Sequence, residues 1–189
     1  MVSSQAAYLA GLCALAAERA WELRLSSRNV QRSLSRGGHE AGRGHYRVMA
    51  AFHTAFLASC AAEVVGLGRP FPGGIGWLAL GAALGAQALR YWAIWALGDR
   101  WNTRIVLVPG EPPVTRGPYR WMRHPNYLAV VAEMAAVPLI HGAWLTALAF
   151  SAGNAALLFV RIRAEERALG ESYAHAFADR RRFFPVRRR

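Results

Sequence analysis

The sequence predicts an all-α membrane protein of about five transmembrane helices in one domain, and three observations carry that expectation. Hydrophobic residues make up 54% of the 189-residue chain, enough for several buried or lipid-facing helices. They fall in blocks, at residues 6–23, 48–67, 74–97 and 127–160, rather than being scattered. A span needs roughly 17–25 apolar residues. Basic residues separate the blocks: all 23 are arginine, and 20 of them lie within 24–47, 98–126 and 161–189.

That placement also explains the formal charge of +12. Basic residues collect on the cytoplasmic side of membrane proteins, and no nucleic-acid-binding fold accompanies the charge, so nucleic acid is not an expected partner. With 24–47, 98–126 and the tail all inside, the first three blocks cross once each. The 34-residue fourth block must then cross an even number of times. As one helix it would be about 51 Å long, against a hydrocarbon core of about 30 Å. Two short helices with a turn near Ile140, His141 and Gly142 satisfy both constraints. The amino end is then outside, the last two spans form a helical hairpin, and a C-terminal helix lies in the cytoplasm. The protein is expected in a bacterial inner membrane.

Taken in order, the first block is no cleaved signal peptide, because its positive charge follows the apolar run. The stretch 24–47 is polar and reads as a short surface helix plus a turn. Residues 68–74, with two prolines, read as a tight external turn. Gly81 and Gly85 in the third block lie four apart, a spacing that lets helices approach closely. Packing inside the bundle is the plain expectation; a homo-oligomer seam is compatible with them but not indicated. Residues 104–108 carry strand-like β-branched content inside a structured loop that must cover Trp101. Helical character continues past Val160 to about Arg182. Cys13 and Cys60 are isolated thiols, and no metal-ligand spacing occurs.

Ionisable residues inside apolar blocks are costly and therefore paired, near an interface, or functional. Glu18 and Arg19 are expected to snorkel at the end of the first span. Glu63 and His141 fall near the outer surface. Arg90, His53 and Glu133 lie at comparable depth from the cytoplasmic side, Glu133 roughly 9 Å beyond Tyr127 if the helix is regular. They are expected to converge in one pocket, with an Arg90–Glu133 pair as the structural alternative to catalysis.

The densest chemistry lies at residues 117–127, G-P-Y-R-W-M-R-H-P-N-Y, where arginines and a histidine alternate with aromatics at the mouth of a span. Two prolines forbid a continuous helix there. In order, the chain shows Leu97-Gly98 with Trp101, Gly117-Pro118-Tyr119, Arg123-His124-Pro125-x-Tyr127, Arg163-x-Glu165-Glu166-x-x-Leu169, Gly170-Glu171-x-Tyr173 and a later Pro185. This ordered set resembles the isoprenylcysteine carboxyl methyltransferase family of integral-membrane enzymes. The resemblance covers residue 90 to the end, and the first two spans match only as hydrophobic helices.

The resemblance implies S-adenosylmethionine as cofactor, held on the cytoplasmic side by Tyr119, Arg123, His124, Pro125, Tyr127, Glu165 and Glu166. It makes 74–189 the cofactor-binding catalytic part and 1–73 an N-terminal two-helix part. Ala129 stands where the family commonly has glycine. With Glu133 beyond it, the pattern looks like the bacterial subgroup that O-methylates alkylpyrones or alkylresorcinol-type lipids. A lipophilic acceptor in the membrane is expected, oriented by Arg123 or Arg90, with Glu133 accepting a proton from a less acidic phenol. Carboxyl methylation of a prenylcysteine-like substrate is the alternative. An NADPH-dependent membrane reductase and a non-enzymatic protein contacting membrane lipids are the competing classes.

Overall fold

The computed structural model describes residues 3–41 and 43–184, with the side chains of 43–45 left aside. Pro185 of the C-terminal motif lies outside the described residues. Five long helices carry the fold: α1 (Ser4–Ser35), α2 (Arg43–Gly66), α3 (Gly74–Leu97), α4 (Pro125–Leu139) and α5 (Trp144–Ala176). Two of them, over Tyr46–Gly66 and Trp144–Ala176, are long and apolar enough to cross a membrane by length and composition. Large apolar side chains on the outer faces, Trp77, Leu78, Trp95 and Leu148 among them, are exposed.

The strand-like segment forms β2 (Ile105–Leu107), which pairs antiparallel with β1 (His39–Ala41). The fold is therefore helical with a two-stranded ribbon, not purely α. The ribbon ties the α1–α2 connection to the long α3–α4 connection.

The helix ends follow local chemistry. The Ser3 hydroxyl accepts from Ala6 N–H at 3.1 Å and caps α1. α1 stops where Gly37 takes a positive φ of 79°, a conformation that costs a residue without Cβ little. α3 begins and ends at the expected residues, closed by Gly98 at φ 56°. Pro125 sits in the first turn of α4, where its missing N–H is harmless. The 140–143 turn divides the fourth apolar block as expected. Across that turn Glu63 of α2 accepts from the backbone N–H groups of Leu145 and Thr146 at 3.2 and 2.7 Å, satisfying the open start of α5.

Three expectations are corrected. The polar stretch 24–47 is mostly helix, because α1 runs on to Ser35. Asn29 donates to the Trp101 carbonyl at 2.7 Å and Ser26 meets Thr103 at 2.8 Å, so the polar half of α1 is held by the α3–α4 connection. Gly81 and Gly85 have open space where a side chain would sit. Close approach on α3 instead falls at Gly76, whose added Cβ would lie 2.9 Å from the Ile140 carbonyl oxygen. The last helix stops at Ala176, short of Arg182, and is broken at Gly170 (φ 68°, ψ −160°). That break turns the chain end back over residues 117–124.

Two cores result. Tyr8, Leu12, Phe56, Cys60, Val64, Met134 and Val137 fill the bundle. Ala93, Ala96, Tyr119, Tyr173 and Phe177 form a second, smaller cluster where the chain end meets the loop.

Candidate functional site

One cavity of about 800 Å³ runs from this second cluster into the bundle. Ligand cavities commonly span about 300–1,000 Å³, so it lies at the large end. Tyr119, Arg123, His124, Tyr127 and Glu165 line its shallow end, and His53 and Arg90 its deep end.

The shallow end is assembled by the chain end folding back. The backbone N–H groups of Arg123 and His124 donate to the carbonyls of Arg181 and Arg182, each at 3.0 Å. The Arg123 side chain donates through Nε to the Arg180 carbonyl at 2.7 Å. Arg180 in turn donates to the Tyr119 carbonyl at 2.8 Å. Pro125 is buried at the start of α4 and does not reach the cavity.

The two glutamates split their work. Tyr127 donates its hydroxyl to Glu165, and Arg161 donates to that same hydroxyl at 3.1 Å. Glu165 faces the cavity; Glu166 does not. Glu166 meets His124 Nε2 at 3.1 Å and accepts from Arg182 at 3.0 and 2.6 Å. Glu166 lies past the apolar run that ends at Val160. The His124 hydrogen bond first, then the Arg182 guanidinium, outweigh partial burial and hold its carboxyl down at about 2. Burial pushes the Tyr119 phenol well up, so it stays protonated.

The deep end overturns the expected pairing. Arg90 donates to Glu22, not Glu133, through Nε and Nη2 at 2.6 Å each. Glu133 accepts from Arg19 at 2.7 Å and is absent from the cavity wall. Arg19 does not snorkel; its other terminal nitrogen reaches Glu22 at 2.6 Å. The physical reason is helix geometry. Residues three apart share a helix face, so Arg19 and Glu22 present one complementary edge to Gln87 and Arg90. Sequence reading missed Glu22 because it sits at the edge of its apolar block. The signal was the Arg19/Glu22 spacing matching Gln87/Arg90. Of the three residues expected to converge, His53 and Arg90 share the cavity and Glu133 stands behind Arg19.

Other cavity residues were also unforeseen: Arg161, Asn126 and Asn102, with Tyr173 and Phe177 known only as tail motif or not at all. Among the described residues, Asn126 Oδ1, Asn102 Oδ1, Trp101 Nε1 and Arg90 Nη1 are buried without a hydrogen-bond partner. Buried polar atoms normally have one. All four residues line the cavity.

Residues 77–171 match the sequence model of the isoprenylcysteine carboxyl methyltransferase family. An uncharacterized protein of Bacillus subtilis, YpbQ, is 42% identical over 158 residues, covering 83% of this chain and 93% of its own length. An uncharacterized protein of Haemophilus influenzae is 26% identical over 157 residues, covering 82% of this chain and 90% of its own. The family match takes in the R-H-P-x-Y segment and both glutamates but stops before Tyr173.

Proposed function

The chain belongs to the isoprenylcysteine carboxyl methyltransferase family, and from that premise we propose that it is an S-adenosylmethionine-dependent O-methyltransferase acting on a lipophilic acceptor. The acceptor class we favour is a long-chain alkylpyrone or phenolic lipid. The family and the two apolar helices point to an integral membrane protein. In this reading all five helices span a bacterial inner membrane, with the cofactor end of the cavity and the C-terminus cytoplasmic, as the arginine distribution favours.

The observation that carries the reading is the single cavity that joins the motif residues to an apolar seam. Besides the shallow-end residues, its wall includes Ala16, Ala20 and Leu23 of α1 and Ala50, Thr54 and Leu57 of α2. A hydrocarbon tail fits such a wall, leaving its head group among the polar residues.

Family members use S-adenosylmethionine, and the shallow end has the donors and acceptors this cofactor needs. Glu165 and the unpartnered Asn126 Oδ1 would accept from its ammonium, and Arg123 has further N–H groups for its carboxylate. The faces of Tyr119, Tyr173 and Phe177 would hold the adenine ring and favour the cation. When bound, the cofactor supplies an electrophilic methyl group on a sulfonium. The protein's part is to hold the acceptor oxygen beside it and exclude water, which turns an encounter of two molecules into a positioned one. Arg161 keeps Tyr127 and Glu165 in place from the side of the Thr103 carbonyl, to which it donates at 2.7 Å. Glu166 acts through His124 and Arg182, closing the chain end over the cavity.

The test is incubation of membranes containing the protein with methyl-labelled cofactor and extracted lipids. Label in a long-chain pyrone or phenol supports the reading. Label confined to a prenylcysteine ester moves the acceptor to a carboxylate. NADPH oxidation without label refutes methyl transfer.

A further inference from the structure

The deep end of the cavity holds two groups the fold leaves free. Arg90 is buried, and its Nε and Nη2 are spent on Glu22, while Nη1 has no partner among the described residues. His53 on α2 lines the same cavity, and its ring contact is with Phe52; it has no hydrogen-bond partner among the described residues. The charged groups acting on it are Arg90 from α3 and Arg19 and Glu22 from α1.

The charge count decides what such a place accepts. Arg19 and Arg90 contribute two cations, Glu22 and Glu133 two anions, and both of these carboxylates are held by a guanidinium. Glu18, hydrogen-bonded to Gln87, adds a further negative charge beside them. At the rim, Arg100 and Arg104 already face Glu111 and Glu40. Among the described residues of the deep end no guanidinium is left over to neutralise an acceptor that enters as a carboxylate, and an unpaired buried anion is costly. A neutral hydroxyl enters without that cost. It then needs a base, and Glu133, whose carboxylate is taken by Arg19 off the cavity wall, is not placed to serve.

Resting on the methyltransferase reading, we propose that the deep end receives the acceptor as a protonated, phenol-type hydroxyl. His53 takes its proton while the free Nη1 of Arg90 holds its oxygen. With neither ring nitrogen hydrogen-bonded among the described residues, the imidazole on the cavity wall has an acceptor nitrogen to offer, as a base must. As the O–H proton passes to a ring nitrogen of His53, an oxygen lone pair forms the new bond to the methyl carbon. The carbon–sulfur bond breaks with its electron pair left on sulfur, and the positive charge that began on sulfur ends on the imidazolium. His53 then returns its proton to water. Glu22 and Arg19 are positioning residues that fix the Arg90 side chain.

The test separates the acceptor site from methyl transfer. The full chain in nanodiscs is mixed, without cofactor, with a nitrophenol bearing a long alkyl chain, just below that phenol's own pKa. The wild-type protein should raise the phenolate absorbance above that of empty nanodiscs. His53→Gln should abolish the rise, and a matching long-chain fatty acid should displace the probe poorly. No rise with the wild type, an equal rise in His53→Gln, or efficient displacement by the fatty acid overturns the proposal. With cofactor present, His53→Gln should slow methylation of an alkylphenol by about 100-fold or more, as loss of a general base does. An alkylphenol with an electron-withdrawing ring substituent, more acidic yet still protonated at the assay pH, should lose clearly less in the same comparison, because its proton leaves more readily. Equal losses on both acceptors overturn the assignment of His53. Unchanged binding of S-adenosylhomocysteine shows that the variant is folded. A phenolate band without any methyl transfer would leave the acceptor site standing and sink the methyltransferase reading instead.

Discussion

The two ends of the cavity are built by opposite means. The shallow end comes from segments far apart in sequence, residues 119–127, Arg161–Glu166 and the returning chain end, joined largely through backbone carbonyls. The deep end comes from side chains on α1, α3 and α4 locked by mutual ion pairs, with His53 of α2 beside them. Backbone-mediated assembly leaves side chains free to meet a ligand and tolerates partial exposure. Ion pairs buried among helices hold shape but leave little free charge. The contrast suits a polar cofactor at one end and a lipophilic acceptor at the other.

The sharpest way to break this contrast is to remove one partner at each end. Glu22→Gln leaves Arg90 and part of Arg19 buried without compensation, and such a break costs about 3–5 kcal/mol. Thermal unfolding in detergent should show a large drop, and retained stability would mean that the pairs are solvated. At the shallow end, Gly170→Ala forces a side chain into a backbone region that is almost glycine-only, at about 1–3 kcal/mol. The added Cβ meets nothing within 4 Å, so any loss is conformational. Cofactor affinity should fall together with stability, because Tyr173 and Phe177 depend on that break. Affinity that survives the substitution would detach the chain end from the site.

Arg182→Gln should do less. Its ion pair with Glu166 is half-exposed at the arginine, and such pairs contribute about 0–1 kcal/mol. Limited proteolysis of the chain end should become faster with little change in melting temperature. The smallest effect is acidification. Glu166 titrates at about 2 in the folded chain against an ordinary 4.5. Its contribution is therefore complete above about pH 4.5 and is lost as pH falls towards 2. Exchange of the Arg123 and His124 amide protons, corrected for intrinsic rates, should speed up over that window and not above it.

The same contrast explains what the sequence disclosed. α3 was legible to the residue because glycines stand at both ends of an apolar run, and the 140–143 turn followed from helix length against membrane thickness. That Tyr119, Arg123, His124, Tyr127 and Glu165 meet at one cavity was legible because fixed spacing leaves a motif, whereas Arg161, Asn126 and Phe177 beside them carry no such signal. The polar half of α1 was not, since its helix is held by Asn29 and Ser26 reaching across to Trp101 and Thr103. Nor was the pairing of Arg90. Two arginines and three glutamates permit several matches, and only the relative rotation of α1, α3 and α4 selects Glu22 for Arg90 and Arg19 for Glu133. Gly81 and Gly85 misled for a related reason: small-residue spacing shows where helices could touch, not which face turns inward.

The central claim is that one cavity carries a cofactor subsite and a separate acceptor subsite. Calorimetric titration of S-adenosylhomocysteine into the purified protein tests it most directly. The wild type should bind. Glu165→Gln, losing a charged hydrogen-bonding partner worth about 1.5–3 kcal/mol, should bind about 10–100-fold more weakly, while His53→Gln should bind as the wild type does. No binding by the wild type, or equal losses in the two variants, would contradict the account.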